Sequence, residues 1–291
     1  MRTLDRESWQ TAQTAHAARV DALTEGHRQR QHRHEAHPVE DFLFTYYPYP
    51  VSRLRRWHPG AGVRLAGAAT AAQAGWRHYR VVGDDAEVDV AAFLQDRLST
   101  VRFVSELLTR TAERPAQLGC LGLHEWAMVY RQSPEQVRHT ALPLRLGSAG
   151  TDAVVETHAL RCTHADAFRF FTEPARPRNA VQPTRERQVE LEQPGCLHAT
   201  MDLYKWAVKL APVVPSELTA DCFELARDVR SLDMRASPYD VRALGYPPVC
   251  IETPEGKAVY VAEQREYAAR GAALRARLLA VLTALEPAQR Q

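Results

Sequence analysis

The sequence predicts a mainly helical α+β protein with a few short strands, forming one compact domain over residues 1–291. Three observations predict it. Apolar residues recur at helical spacing over long stretches, as in Val90, Phe93, Leu94, Leu98, Val101, Val104 and Leu108, and again in Leu218, Cys222, Leu225, Val229 and Leu232. Prolines and small polar residues punctuate these stretches where helices begin and end. The clearest signal of paired strands lies within residues 63 to 90, where short alternating runs flank a glycine turn.

Residues 1 to 36 open with a long helix that becomes very polar at His27-Arg-Gln-Arg-Gln-His-Arg-His-Glu35, a run that reads most simply as a solvated face. Pro38 opens a second helix, Val39 to Tyr47, which Pro48 and Pro50 end. Ser52 is placed to cap a short segment, Arg53 to Trp57. Trp76 to Val82 and Glu87 to Val90 flank Gly83-Asp-Asp85 as a hairpin. The helix from Val90 follows and stops at Pro115.

Leu118 to Tyr130 reads as a buried helix, and Ser133-Pro134-Glu135 as the start of another. Ala153 to Arg161 alternates as a half-buried strand does. Thr163 to Phe171 turns helical, and residues 172 to 184 form a proline-rich loop. Helices are expected from about 197 to 210 and from Ser216 to about 235. Tyr246 to Thr253 reads as a short strand, with a turn at Pro254-Glu-Gly256, and a last helix covers 259–285.

No apolar run approaches the ~18 residues that cross a membrane, so no membrane partner is expected. The N-terminus lacks the apolar segment of a signal peptide, and the chain is read as cytoplasmic. Five cysteines, an odd number without a CxxC pair, argue for reduced thiols rather than a disulfide framework or a zinc ribbon. Net charge is +2, and Lys205, Lys209 and Lys257 are the only lysines. The arginine excess reflects either a GC-rich genome or anion recognition by guanidinium groups.

Three segments place a cysteine, a histidine and a carboxylate within a few residues of one another: Cys120-x3-His124-Glu125, Cys162-x-His164-x-Asp166 and Cys196-x-His198-x3-Asp202. Such side chains ligate metals, carry protons and act as nucleophiles. Their clustering points to one chemical centre within 118–235. His198 and Asp202 are four apart and share a helix face. Glu125 lies in an apolar helix, where a carboxylate needs a partner or a raised pKa. The neighbouring His124 reads more simply as a hydrogen-bonded core residue. Glu156 and His158 share one face of the expected strand. Glu217, Asp221, Glu224 and Asp228 form a carboxylate stripe, which is either a solvated face or a metal-binding one. GxGxxG, Walker, GxSxG and HExxH motifs are absent.

Several longer runs carry a resemblance. They are His37 to Tyr47, Arg55 to Gly60, Gly122 to Arg131, Ala167 to Phe171, Pro194 to His198, Met201 to Trp206 and Leu232 to Asp240. Together they resemble an actinobacterial family of roughly this length, commonly labelled 3-methyladenine DNA glycosylase. The chain carries no helix-hairpin-helix signature. The resemblance implies an N-glycosylase that releases alkylated purines from damaged DNA without a cofactor. On chemical grounds a carboxylate would then activate water or stabilise the sugar cation, with Asp202, Glu125 and Asp221 as candidates. Trp126, Tyr130 and Trp206 would stack on the base, and Arg53, Arg55, Arg56, Arg176 and Arg178 would hold phosphates. The alternative is a metal-dependent enzyme, such as an iron oxygenase, acting on a small molecule. Iron or zinc would be drawn to His198, His164, His124 and His158 together with Asp or Glu ligands. In either case Cys120, Cys162 and Cys196 read as packing residues beside the site.

Overall fold

The computed structural model describes residues 1–133, 136 and 141–285, so the expected helix start at Ser133-Pro134-Glu135 lies largely outside the described residues. Eleven α-helices and one four-stranded sheet are present among them. The sheet runs β1 (Arg2–Leu4), β2 (Val63–Leu65), β4 (Asp85–Val88), β3 (Tyr79–Val82). β3 and β4 form the expected hairpin about Gly83, while β1 pairs in parallel with β2. Helix α1 (Arg6–His32) starts at Asp5, whose carboxylate accepts the Ser8 N–H. Trp9 on α1 and Trp57 share a small core with Leu65 and Ala86 of the sheet.

The main core lies among the C-terminal helices. α9 (Leu197–Lys209) and α10 (Ser216–Arg235) pack against each other. α11 (Pro254–Ala284) lies across both and also meets α4 (Val90–Glu113). The apolar stripe of α10 forms as its periodicity predicts, with Leu218, Cys222, Leu225, Val229 and Leu232 all buried. Between α1 and α10 sits the short α2 (Phe42–Tyr46), followed by α3 (Val51–Leu54).

Several expectations are corrected. Residues 118–130 hold only α5 (Leu123–Ala127) between turns, because Leu121 and Gly122 take left-handed backbone angles. Residues 153–161 are not a strand. Gly147–Thr157 is helix α6, whose Thr151, Val154 and Val155 bury one face. The alternation there is that of a short amphipathic helix with two adjacent valines. The expected strand at 246–253 is irregular chain. Thr253 caps α11, and Pro254 to Gly256 form its first turn. Gly256 is required there, since a Cβ would stand 1.9 Å from the Cys250 carbonyl. The helix expected from Thr163 is the four-residue α7 (Ala165–Phe168), and α8 (Gln188–Leu191) precedes α9. No helix among the described residues is long and apolar enough to cross a membrane.

Candidate functional site

Five segments send charged side chains into the core at one place. α5 supplies His124 and Glu125, and α10 supplies Arg230 and Asp233. α9 supplies His198, Asp202 and Lys205. His164 stands at the start of α7, and Glu192 follows α8. The backbone makes this possible at Gly122, whose positive φ turns the chain into α5 where a Cβ would press on the Tyr260 ring at 3.3 Å.

One half of the cluster centres on Asp233. His124 Nε2 lies 2.7 Å from Asp233 Oδ1, and Arg230 Nη1 donates to Asp233 Oδ2 at 2.8 Å. The same Nη1 donates to Glu125 at 2.9 Å, and the guanidinium lies on the Phe42 ring. His124 and Glu125, though adjacent in sequence, therefore join one network through two residues three apart on α10. The other half centres on Asp202, which is fully buried. It accepts from Tyr47 Oη at 2.5 Å and from Lys205 at 2.7 Å, and His164 Nε2 lies 3.4 Å away. Glu192 stands 3.5 Å from the same nitrogen. His198 links the halves, with its ring edge-on to His124 at 4.5 Å and stacked on His164 at 5.2 Å.

Charge explains the electrostatics. Among the described residues, four buried carboxylates face two paired fixed cations: Arg230 pairs with Glu125 and Asp233, Lys205 pairs with Asp202, and Glu192 has only His164 as an ionic partner. That is a deficit of two positive charges when the histidines are neutral. Lys205 is further shared with Asp166. Buried Arg275 attracts Glu192 through the field but forms no ion pair with it, so it offsets part of the deficit. Protons make up the remainder. Burial opposes a charge on His124, yet Asp233 outweighs it and lifts the imidazole well above its ordinary range. Burial also opposes charge on His164, and Asp202 again reverses the sign. Burial and the nearby Asp202 raise Glu192. His198, pushed down by burial and by His124, stays neutral. In metal-free protein, histidine NMR titrations should accordingly find His124 titrating well above, and His198 well below, the ordinary histidine range. Two ordinary titrations around about pH 6.5 would contradict this charge balance.

Two groups have the composition of a metal site: His124, His198 and Asp233, and His164, Glu192 and Asp202. In each, the ligand atoms lie within 4.8 Å of one another. They differ in tautomer. His164 Nδ1 accepts the Ala167 N–H at the start of α7. A neutral ring then carries its proton on Nε2, within 3.5 Å of both carboxylates, so this group holds a proton. His124 Nδ1 instead faces Cys120 Sγ at 3.7 Å, which can orient a ring that ligates through Nε2. A small cavity of about 10 Å³ adjoins it, lined by Cys120, His124, Cys162, Cys196, His198 and Tyr260 among others. It has room for about one water-sized ligand. Burial holds the Cys162 and Cys196 thiols protonated, in keeping with packing residues.

The other sequence candidates lie elsewhere. Asp221 is half-exposed and paired with Arg19 and Arg277. Its stripe partners Glu224 and Asp228 pair with Arg19 and Arg270, so this is a solvated ion-paired face. His158 ends α6 with Nδ1 on the Val154 carbonyl, and no ring contact or hydrogen bond joins it to the other histidines among the described residues. Trp126, Tyr130 and Trp206 are core residues, at most 4% exposed, with the Trp126 indole N–H on the Ala236 carbonyl. Arg176 and Arg178 donate to backbone carbonyls, Arg55 pairs with Asp21, and only Arg53 and Arg56 share a cleft. Asp233, Arg230, Glu192, Lys205 and Tyr47 were missed as site residues. Asp233 and Arg230 sit beside the α10 apolar stripe, and that position was the available signal. The chain matches no protein-family model, no curated protein and no solved structure.

Proposed function

We propose that the protein is a metal-dependent enzyme acting on a small molecule, with a non-haem iron(II) ion bound by His124, His198 and Asp233. The local charge imbalance carries this reading: Glu125 and Asp233 share the single cation Arg230, and a divalent ion would supply the positive charge that His124 otherwise carries as a proton. Two ligands each ~2.1 Å from one ion stand about 3 Å apart, close to the 2.7 Å between His124 Nε2 and Asp233 Oδ1. The ion would replace the proton they share. Two histidines and one carboxylate leave further coordination positions open, the arrangement that suits Fe(II) and small ligands such as water or dioxygen. The adjoining cavity gives such a ligand space. His164, Asp202, Lys205 and Tyr47 would act as a proton store one ring away, through His198.

Base excision receives less support. The aromatic residues expected to stack are buried in the core, and of the arginines expected to hold phosphates only Arg53 and Arg56 share a cleft, away from this cluster.

Elemental analysis tests the proposal. Protein produced with iron supplied and purified without chelators should carry about one iron per chain. His198→Ala should lose it while keeping its circular dichroism spectrum, whereas Cys162→Ala should keep it. Wild-type protein with only trace transition metal would overturn the proposal. Release of 3-methyladenine from alkylated DNA by metal-free protein would transfer support to the glycosylase reading.

A further inference from the structure

A second site is written in a different part of the surface. Between α3, the β3 end of the sheet, α4 and the start of α10 lies a cleft of about 400 Å³. Arg53, Arg56, Arg77 and Arg97 line it with His58 and Trp76, and no carboxylate does. The run Arg53-Leu-Arg-Arg56 divides by helical spacing. Arg55 turns outward to Asp21 at 3.0 Å, while Arg53 and Arg56, three apart, face the cleft.

The cleft arginines are unlike their neighbours. Arg64 and Arg80 both pair with Glu87. Arg77 is tied to Asp96 at 2.7 Å. Arg53 donates only to the Val208 carbonyl and lies over Tyr49. Arg56 lies over the Trp76 ring at 5.6 Å with no ion pair. Arg97 has neither ion pair nor side-chain hydrogen bond among the described residues. Three guanidinium groups thus converge without a counter-charge, in a concavity of small-molecule size. Ser52 and Thr219 add hydroxyls. Trp76 is half-buried and held edge-on by His58 and Tyr79, which fix the orientation of its ring beside Arg56.

We propose that this cleft binds a small phosphate-bearing ligand with a planar ring, a mononucleotide in chemical class, with Arg53, Arg56 and Arg97 holding the phosphate and Trp76 the ring. The guanidinium fork matches phosphate oxygens, and an indole face accepts any base. The same chemistry is offered by a nucleic-acid strand, but a strand needs a basic track, and the neighbouring Arg55 and Arg80 are already engaged in ion pairs.

Calorimetry on the full chain tests this with three probes: adenosine monophosphate, inorganic phosphate and a decamer of thymidylate. Adenosine monophosphate should bind one per chain and more weakly as salt rises, with inorganic phosphate about tenfold weaker. Arg56→Ala/Arg97→Ala should weaken both by about tenfold or more. Trp76→Ala should weaken the nucleotide and leave inorganic phosphate within about twofold. Absence of saturable binding of either probe up to about 10 mM would overturn the proposal, as would unchanged binding by the double arginine variant. Tighter binding of the decamer, with a salt dependence that grows with oligonucleotide length, would overturn it in favour of a nucleic-acid track. Arg56 and Arg97 lie at the surface, so the double variant should fold and retain its metal content. Failure here therefore leaves the metal proposal standing, and the reverse also holds.

Discussion

Asp233→Asn is expected to strip the protein of its metal and to lower its melting temperature by about 10 °C. Asparagine keeps the shape of the side chain and removes only its charge. Under the proposed function that charge would be a metal ligand. In the metal-free protein it faces His124 at 2.7 Å and Arg230 at 2.8 Å, both buried. Removing one partner from a buried ion pair costs about 3–5 kcal/mol, because the other is left uncompensated. Arg230 would keep Glu125 alone. His124 would lose the interaction that raises its pKa, and its titration should fall back toward the ordinary histidine range. Metal content by elemental analysis, a thermal melt and an imidazole titration read the three effects separately. A melting temperature within about 2 °C of wild type would remove Asp233 from the centre of the network.

Asp202→Asn is expected to destabilise the protein by a similar ~3–5 kcal/mol while leaving the metal in place. Asp202 belongs to the proton-holding group, so under the proposed function its loss should leave the metal stoichiometry intact. Burial alone would raise its pKa. Lys205, followed by His164, more than offsets this and holds the carboxyl well below the usual carboxylate range. A group depressed on folding stabilises the protein above its unfolded pKa. That contribution is lost as pH falls through the folded value. The stability difference between wild type and Asp202→Asn should thus grow from about pH 7 to about pH 5, because His164 keeps its raised pKa only beside Asp202, and shrink below about pH 4, where Asp202 itself takes a proton. Denaturant titrations at each pH measure it. A difference that goes on growing below about pH 4 would contradict the assigned pairing.

Much of this architecture is legible in the residues themselves. The stripes of α4 and α10 specify those helices nearly to their ends, because long amphipathic periods leave little freedom of register. The β3–β4 hairpin follows from Gly83 and its flanking alternation. Short elements are less legible. Residues 153–157 alternate well enough for a strand, yet they bury an α6 face, since tertiary contacts outweigh propensity over so few residues. Pro254 reads as a turn but begins α11, as proline also fits the first helical turn.

The site divides in the same way. The cysteine–histidine–carboxylate segments mark the centre, and His124, Glu125, His164, His198 and Asp202 do meet there. Their partners could not be read from spacing. Asp233 and Arg230 are 35 and 32 residues from His198 along the chain, counted by residue number, and only the packing of α9 on α10 brings them alongside. Asp221 shows the converse, since it shares a helix with Asp233 but faces Arg19 and Arg277. Periodicity separates the two only once the inner face of α10 is known.

The central claim is that a divalent cation replaces protons in the buried cluster. Calorimetric titration of metal-free protein with iron(II) under anaerobic conditions, at about pH 7 in buffers of differing ionisation enthalpy, counts those protons directly. One ion per chain should bind with release of between about one and two protons. His124→Ala should abolish both the binding and the release. Absence of a stoichiometric binding event, or a bound ion that displaces no proton, would contradict the account.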